Sequence, residues 1–229
     1  MAKILDMESA VKLIHNGDVV MAGGFYGNGT PAGIVNEMLR QGQKDLTMIN
    51  NDGNTVDKGV GILINAGRVK KFICTWCGRL TIVNKLVEDG SLDLEICPQG
   101  TFAERIRAGG FGLGGVLTAT GLGTVVEERW AQRVNLNGKD WLYHTPLKGN
   151  VSIIEAERAD ETGNLVFHLT QRSFSTVMCF ASDLVIVEVT NPIEPAGSIP
   201  PEQIHVPGVV VDVLVPSRSS SAKGGSNNG

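Results

Sequence analysis

The sequence predicts an α/β protein, a mostly parallel open sheet with helices on both faces and β-hairpins in its second half, and three observations carry that expectation. From residue 6 to about residue 110, short apolar runs of strand length alternate with helical patterns, the arrangement of a parallel sheet covered on both sides. Glycine makes up 29 of 229 residues, about 13 % against a usual share of about 7 %, and outside the tail it sits between the apolar runs, where strand-to-helix turns fall. From about residue 134 the pattern becomes β-rich, with turn signals between the runs.

Taken in order, residues 6–15 (DMESAVKLIH) read as a helix closed by Asn16-Gly17, residues 18–23 (DVVMAG) as a buried strand, and residues 31–42 (PAGIVNEMLRQG) as a helix with Pro31 at its start. Residues 45–50 (DLTMIN), 69–76 (VKKFICTW) and 92–97 (LDLEIC) are strands, with a helix at 81–90 between the last two. A further helix starts at Thr101 (TFAERIRAG). The segment 109–124 (GGFGLGGVLTATGLGT) is too glycine-rich for a helix and too apolar for a linker, so it reads as an ordered loop lying against something. Residues 134–144 form a hairpin around Asn137-Gly138, and 151–169 a second one turning near 161–164. Residues 183–189 and 208–215 are buried strands. No internal repeat or linker interrupts the chain, so one domain spans 1–216, and the Ser/Gly/Asn-rich tail 217–229 reads as disordered or as an added segment.

Composition narrows the function. Twenty Lys plus Arg against 24 Asp plus Glu give a formal charge of -4, with no broad cationic field for a nucleic acid. No apolar stretch is long enough to span a bilayer, and Asp6 and Glu8 stand where a signal peptide would be apolar, so the expected location is cytoplasmic, away from membranes. Four Cys are too few for a disulfide scaffold.

The richest constellation runs from Asn16 to Pro31: a turn, a buried strand, the loop Gly23-Gly24-Phe25-Tyr26-Gly27-Asn28-Gly29, then a helix opened by proline. Backbone N–H groups free of side-chain bulk beside a helix N-terminus suit an oxyanion or carboxylate, while the same glycines also serve simple turn geometry; the residues themselves leave both readings open.

This stretch matches, residue for residue, the signature of the family I coenzyme A transferases. Pro98-Gln99-Gly100-Thr101, the run Ala103 to Gly110, Gly114-Gly115-Val116-Leu117-Thr118 and Thr120-Gly121-Leu122-Gly123-Thr124 resemble the A (α) subunit of that family, in the same order, over about residues 4–215. The resemblance implies an acyl-group-handling fold and a ping-pong transfer of coenzyme A between short-chain acids such as acetoacetate, butyrate and acetate. It implies no bound cofactor, the coenzyme A thioester being a substrate. It also implies a B (β) subunit whose Ser-Glu-Asn-Gly motif carries the catalytic Glu, in an A2B2 assembly; Ser-Glu-Asn-Gly is absent from this sequence. On that footing Gln99 is the oxyanion donor, and Gly23, Gly24, Phe25, Gly27, Gly29, Asn50, Asn51, Gly114 and Gly115 are candidates for binding the acyl group or coenzyme A. Without the resemblance, Gln99 reads equally as a cap of the helix that follows, and Asn50-Asn51 as a turn. Two departures bear on pocket shape: Thr75-Trp76-Cys77-Gly78 where the family commonly has Ser-Tyr-Val-Gly, and Thr118-Ala119-Thr120-Gly121 where it has Thr-Pro-Thr-Gly.

Other motifs compete. The missing Glu nucleophile also fits a non-enzymatic ligand-binding or regulatory chain on the same fold. Cys74-Thr75-Trp76-Cys77 is a CxxC at a strand end, a setting for a redox dithiol, although the apolar Phe72 and Ile73 favour buried thiols. With only Cys97 near it and no paired His, a metal site is not expected. Gly110 to Gly115 satisfies GxGxxG but follows a helix and opens none. His168 reads as a structural histidine, and Glu127-Glu128-Arg129 and Asp160-Glu161 as solvated faces or turns.

Overall fold

The computed structural model describes residues 2–217; Met1 and the expected disordered stretch from 218 onward lie outside the described residues. Ser217, which the sequence assigns to the tail, belongs to the fold: its N–H donates to the Val189 carbonyl at 2.9 Å and its hydroxyl to Glu188 at 2.9 Å.

In chain order the elements are β1 (Lys3–Ile4), α1 (Met7–Val11), β2 (Val19–Ala22), α2 (Ala32–Gln41), β3 (Leu46–Ile49), α3 (Gly61–Asn65), β4 (Val69–Cys74), α4 (Val83–Glu88), β5 (Asp93–Ile96), α5 (Gln99–Gly110), β6 (Val116–Thr118), α6 (Val125–Trp130), β7 (Gln132–Leu136), β8 (Lys139–His144), β9 (Gly149–Ala156), β10 (Arg158–Ala159), β11 (Leu165–Val166), α7 (Ser175–Phe180), β12 (Ser182–Val189) and β13 (Val213–Pro216). Eight of the strands form one sheet in the order β1-β13-β12-β9-β2-β3-β4-β5, with every neighbouring pair parallel. The order reverses between β2 and β9: β2 to β5 step one way, and β9, β12 and β13 the other. Such a switch point leaves a crevice at the carboxyl ends of the strands, where ligands of open α/β sheets bind.

The alternation of each strand divides the core. Val20, Met48, Phe72, Ile153 and Ile186 face a layer built from Val11, Ile34, Met38, Leu63 and Val83 of α1 to α4. Met21, Ile49, Ile73, Ile154 and Val187 face Phe102 and Ile106 of α5 and Met178 of α7. These are the helices on both faces that the alternating pattern predicts. Close contact of α5 with the sheet layer needs Gly109, where a Cβ would overlap the Leu147 carbonyl.

The second half departs from expectation in four places. The simplest is that the strand expected over 208–215 begins only at Val213, residues 208–210 forming a single tight helical turn with Val209 exposed. The segment 151–156 does not form one arm of a hairpin: it belongs to β9, paired in parallel with β12 and β2, because a run buried on both faces suits the centre of a parallel sheet. The hairpin that remains is short, β10 with β11, its turn built on the buried Asp160, whose carboxylate accepts from Thr162 N and Asn164 N. The glycine-rich segment 109–124 holds a strand, β6, which joins β8 and β7 in a three-stranded antiparallel sheet. The Asn137-Gly138 hairpin is as read: both residues have positive φ, 54° and 75°, as a two-residue turn between twisted strands requires. Glu127-Glu128-Arg129 lies on α6, a short helix that Thr124 caps, where Glu127 pairs with Arg133 at 2.6 Å.

Candidate active site

Four loops leave the carboxyl ends of β2, β3, β4 and β5 side by side, and the candidate site is built where they meet. After β2, the Gly23 N–H donates to Ile153 O of β9 at 3.0 Å, so this glycine continues the sheet and offers no free donor. Phe25 and Asn28 exchange backbone hydrogen bonds at 3.0 Å around Tyr26 and Gly27, a tight turn with φ of 53° and 81°. Tyr26 holds a left-handed conformation that costs a side-chain-bearing residue about 1 kcal/mol. Its N–H donates to Asp52 at 2.7 Å, while its ring stacks on Trp76 and lies beneath the Arg79 guanidinium, 4.2 Å from the ring centre. At Gly24 (φ 104°) a Cβ would overlap Thr30, so this position must be glycine. Among the described residues the Gly24 N–H has no acceptor. Of the three backbone donors the sequence singles out, Gly24 is therefore the one left for a ligand, Phe25 being spent on its own turn.

After β3, the buried trio Asn50, Asn51 and Asp52 ties the loops together. Asn50 Nδ2 donates to Ala22 O at 2.8 Å, and its Oδ1 accepts from Gly53 N at 2.7 Å, which fixes the glycine loop to the end of β3. Asn51 faces the other way: its Oδ1 accepts from Thr75 Oγ1 at 3.0 Å and from Gln99 Nε2 at 3.2 Å, and its Nδ2 donates to Asp52 at 2.9 Å. Asp52 also accepts from Asn54 N at 2.8 Å. A continuous chain of bonds thus runs from Tyr26 N through Asp52 and Asn51 to Gln99. Thr75 and Trp76 after β4 are drawn in by their N–H groups, both donating to Asn51 O.

Gln99 is the first residue of α5 and does not cap it; Pro98 holds the cap position and the helix has no side-chain cap. With one amide hydrogen on Asn51, the second Nε2 hydrogen has no acceptor among the described residues. Alongside the first turns of α5 runs a groove of about 340 Å³ lined by Gly100, Thr101, Thr118 and Thr120 among others. The N-terminus of α2, in contrast, is taken: Glu188 of β12 accepts from Gly33 N and Ile34 N at 2.9 and 3.1 Å.

The structure thus brings together Gly23, Gly24, Phe25, Gly27, Gly29, Asn50, Asn51 and Gln99. Gly114 and Gly115 share no hydrogen bond with these among the described residues: they follow α5, the 12-residue helix that Gln99 opens, and stand just before β6, whose residues line the groove along the first turns of α5. Gly114 O accepts from Tyr143 OH there, and Gly115 lies against the Tyr143 ring.

Sequence reasoning passes over Asp52 and Glu155, and flags Thr75 only as a departure in pocket shape, not as a partner of Asn51. Asp52 follows Asn-Asn in a string that reads as a turn, and its partner Tyr26 is distant in sequence. Glu155, at the end of β9 on the other side of the crevice, accepts from Gln171 Nε2 at 2.6 Å; burial pushes its carboxyl above the ordinary value. Gly29 leans on the backbone of the same Gln171. Among the described residues no group of three or more His, Cys, Asp or Glu side chains could hold a metal ion, and no helix is long and apolar enough to cross a membrane.

A parallel sheet with a switch-point crevice, a glycine-loop N–H without an acceptor among the described residues, and an uncapped helix opened by a positioned amide define an open α/β protein with hydrogen-bond donors along one edge. The chain belongs to the coenzyme A transferase family, whose profile matches residues 4–217. It is similar to the acetate CoA-transferase subunit alpha of Escherichia coli K12, 41% identical over 218 residues, which span 95% of this chain and 98% of that one. It is also similar to the acetoacetyl-CoA:acetate/butyrate CoA transferase alpha subunit of Clostridium acetobutylicum, 36% identical over 93% of this chain and 97% of that one. Among solved structures, the glutaconate coenzyme A-transferase of Acidaminococcus fermentans superposes with a TM-score of 0.85 at 23% identity, covering 96% of this chain and 77% of that chain. At that identity the likeness speaks for the fold, which is the coenzyme A transferase fold.

Proposed function

We propose that this chain is the α subunit of a heteromeric, cytoplasmic short-chain acyl-CoA:3-oxoacid CoA-transferase acting on acetate, butyrate and acetoacetate, in an A2B2 assembly with a β subunit that supplies the catalytic glutamate. The acids and the partner are those in the names of the two α-subunit relatives and in the motif resemblance. One observation carries the chain's own role: Gln99, hydrogen-bonded to buried Asn51, opens the uncapped α5 on the same edge as the unpaired Gly24 N–H.

The chemistry needs such donors. The partner's glutamate carboxylate attacks the thioester carbon of the acyl-CoA, and the carbon–sulfur bond breaks to leave an acyl-glutamyl anhydride and coenzyme A thiolate. The thiolate then attacks the glutamyl carbonyl, the acid departs as its carboxylate, and a glutamyl-CoA thioester remains; the second acid takes coenzyme A by the reverse steps. Each attack raises negative charge on a carbonyl oxygen. The Gly24 N–H and the free Nε2 hydrogen of Gln99 meet that oxygen, and the amide cannot swing away while Asn51, itself held by Thr75 and Asp52, accepts its other hydrogen. Preorganised donors of this kind are typically worth about 3 to 4 kcal/mol each in the barrier.

The test is Gln99→Ala in the complex with the β subunit. Because its bond strengthens when the oxygen becomes charged, kcat for acetoacetyl-CoA formation from acetyl-CoA and acetoacetate should fall by roughly 10² or more with little change in KM. An unchanged kcat would return Gln99 to a structural role.

A further inference from the structure

We infer that Cys74 and Cys77 form a redox dithiol that closes reversibly into a disulfide and, in doing so, releases the hold of Thr75 on Asn51 and unseats Gln99. Cys74 is the last residue of β4 and fully buried in the layer under α1 to α4; Cys77 packs against that layer from the loop and is half-buried. The two stand three positions apart at the end of β4 and pack into the same apolar layer. The neighbouring Cys74 thiol holds the Cys77 thiol down to about 7, whereas Cys77 and burial together push the Cys74 thiol up. An accessible thiol that ionises near neutral pH beside a buried thiol that does not is the division between attacking and resolving cysteine.

The other two thiols serve as internal controls. Cys97 and Cys179 are both buried, burial raises both, Cys179 to about 12, and Cys97 Sγ lies 3.6 Å from the Arg105 guanidinium that donates to it.

What lies between the two cysteines gives the pair its consequence. The residues enclosed by a Cys74–Cys77 disulfide are Thr75 and Trp76, whose N–H groups donate to Asn51 O at 2.9 and 3.4 Å. The Thr75 hydroxyl bonds Asn51 Oδ1 at 3.0 Å, the same oxygen that accepts from Gln99. Closing the ring fixes the sulfurs at a covalent separation of about 2 Å, and the two enclosed residues must absorb that constraint.

The oxidant is a small-molecule disulfide. Cys77 thiolate attacks one of its sulfurs, forming a mixed disulfide and expelling one thiolate, which takes up the proton that Cys77 lost. Cys74 then attacks Cys77 Sγ and, as its own proton leaves, displaces the second small thiol. The protein dithiol is oxidised by two electrons, and the disulfide is reduced to two thiols.

The experiment treats the reduced full-length chain with glutathione disulfide and follows intact mass and free-thiol mapping. The expected product is lighter by two hydrogens, with Cys74 and Cys77 joined, Cys97 and Cys179 still free, and dithiothreitol reversing the change. Cys74→Ser should stop at a glutathione adduct on Cys77, and Cys77→Ser should acquire neither adduct nor bond. In the reduced chain, alkylation of Cys77 should accelerate as pH rises through about 7, because the thiolate is the nucleophile. On oxidation the Gln99 side-chain amide resonances, identified by their loss in Gln99→Ala, should shift. The effect on turnover rests on the function proposed above: in the complex, oxidation should lower kcat roughly tenfold or more and leave Cys77→Ser untouched. Failure of the Cys74–Cys77 bond to form, or its formation without movement of the Gln99 resonances, would overturn the inference. A reduced complex without transferase activity would instead contradict the proposed function, with thiol mapping and resonances still deciding the dithiol.

Discussion

Asp52 does the most work per residue at the candidate site, and nothing in the sequence marks it. Its carboxylate is buried and receives Tyr26 N–H, Asn54 N–H and Asn51 Nδ2, thereby joining the glycine loop to the amide that positions Gln99. Removing it leaves three donors unmatched, each costing about 1 to 3 kcal/mol when buried without a partner. Water can reach part of the space, so Asp52→Ala should lower unfolding free energy by about 2 to 4 kcal/mol, read from the denaturant midpoint at unchanged slope. A loss below about 0.5 kcal/mol would mean that the network does not hold the loop. The positions of Gln99 and Gly24 are legible because their motifs are local, a strand end, a proline or glycine, a helix start, although only the family resemblance suggests Gln99 as a donor. Asp52 is not legible, nor is the bond of Thr75 to Asn51, since the atoms that give them meaning arrive from another strand. Gly23 and Phe25 look like donors beside Gly24, and only the fold reveals that β9 and Asn28 already use their N–H groups.

At the scale of elements, the same asymmetry governs helix ends. The sequence places α2 correctly from Pro31 and its apolar spacing, and leaves its N-terminus as a candidate anion site. The fold fills it with Glu188, which comes from β12 and whose other carboxylate oxygen takes the Ser217 hydroxyl. The cap is tertiary, so Glu188→Ala should destabilise the protein by about 2 kcal/mol and speed hydrogen exchange at Gly33 and Ile34; unchanged exchange there would show that α2 stands without it. Among the described residues the end of α5 that carries Gln99 has no such side-chain partner. The misread elements share a cause. Residues 151–156 are apolar on both faces and bounded by turn residues, a pattern common to hairpin arms and central parallel strands, and only pairing with β12 and β2 decides between them. The strand β6 is three residues long, too short to rise above the glycines around it.

For the whole molecule, the strand order of the all-parallel sheet reverses between β2 and β9, and the glycine loop and Glu155 flank that crevice while Asn51 and Gln99 extend it toward β5. The sequence foresaw the two-sided layering, since strand and helix periods alternate openly, but not the strand order, which depends on which distant runs pair. On the proposed function, an edge furnished with donors and lacking a Ser-Glu-Asn-Gly nucleophile is half of an active site, the other half being a partner's glutamate. The measurement that tests this most directly is to isolate the complex of this chain with its β subunit, incubate it with acetyl-CoA alone, and weigh each chain intact. A coenzyme A thioester on the partner's glutamate, absent from this chain and formed far more slowly with Gln99→Ala, is the predicted result. An adduct on this chain itself, or none on either chain of a stable complex, would contradict it.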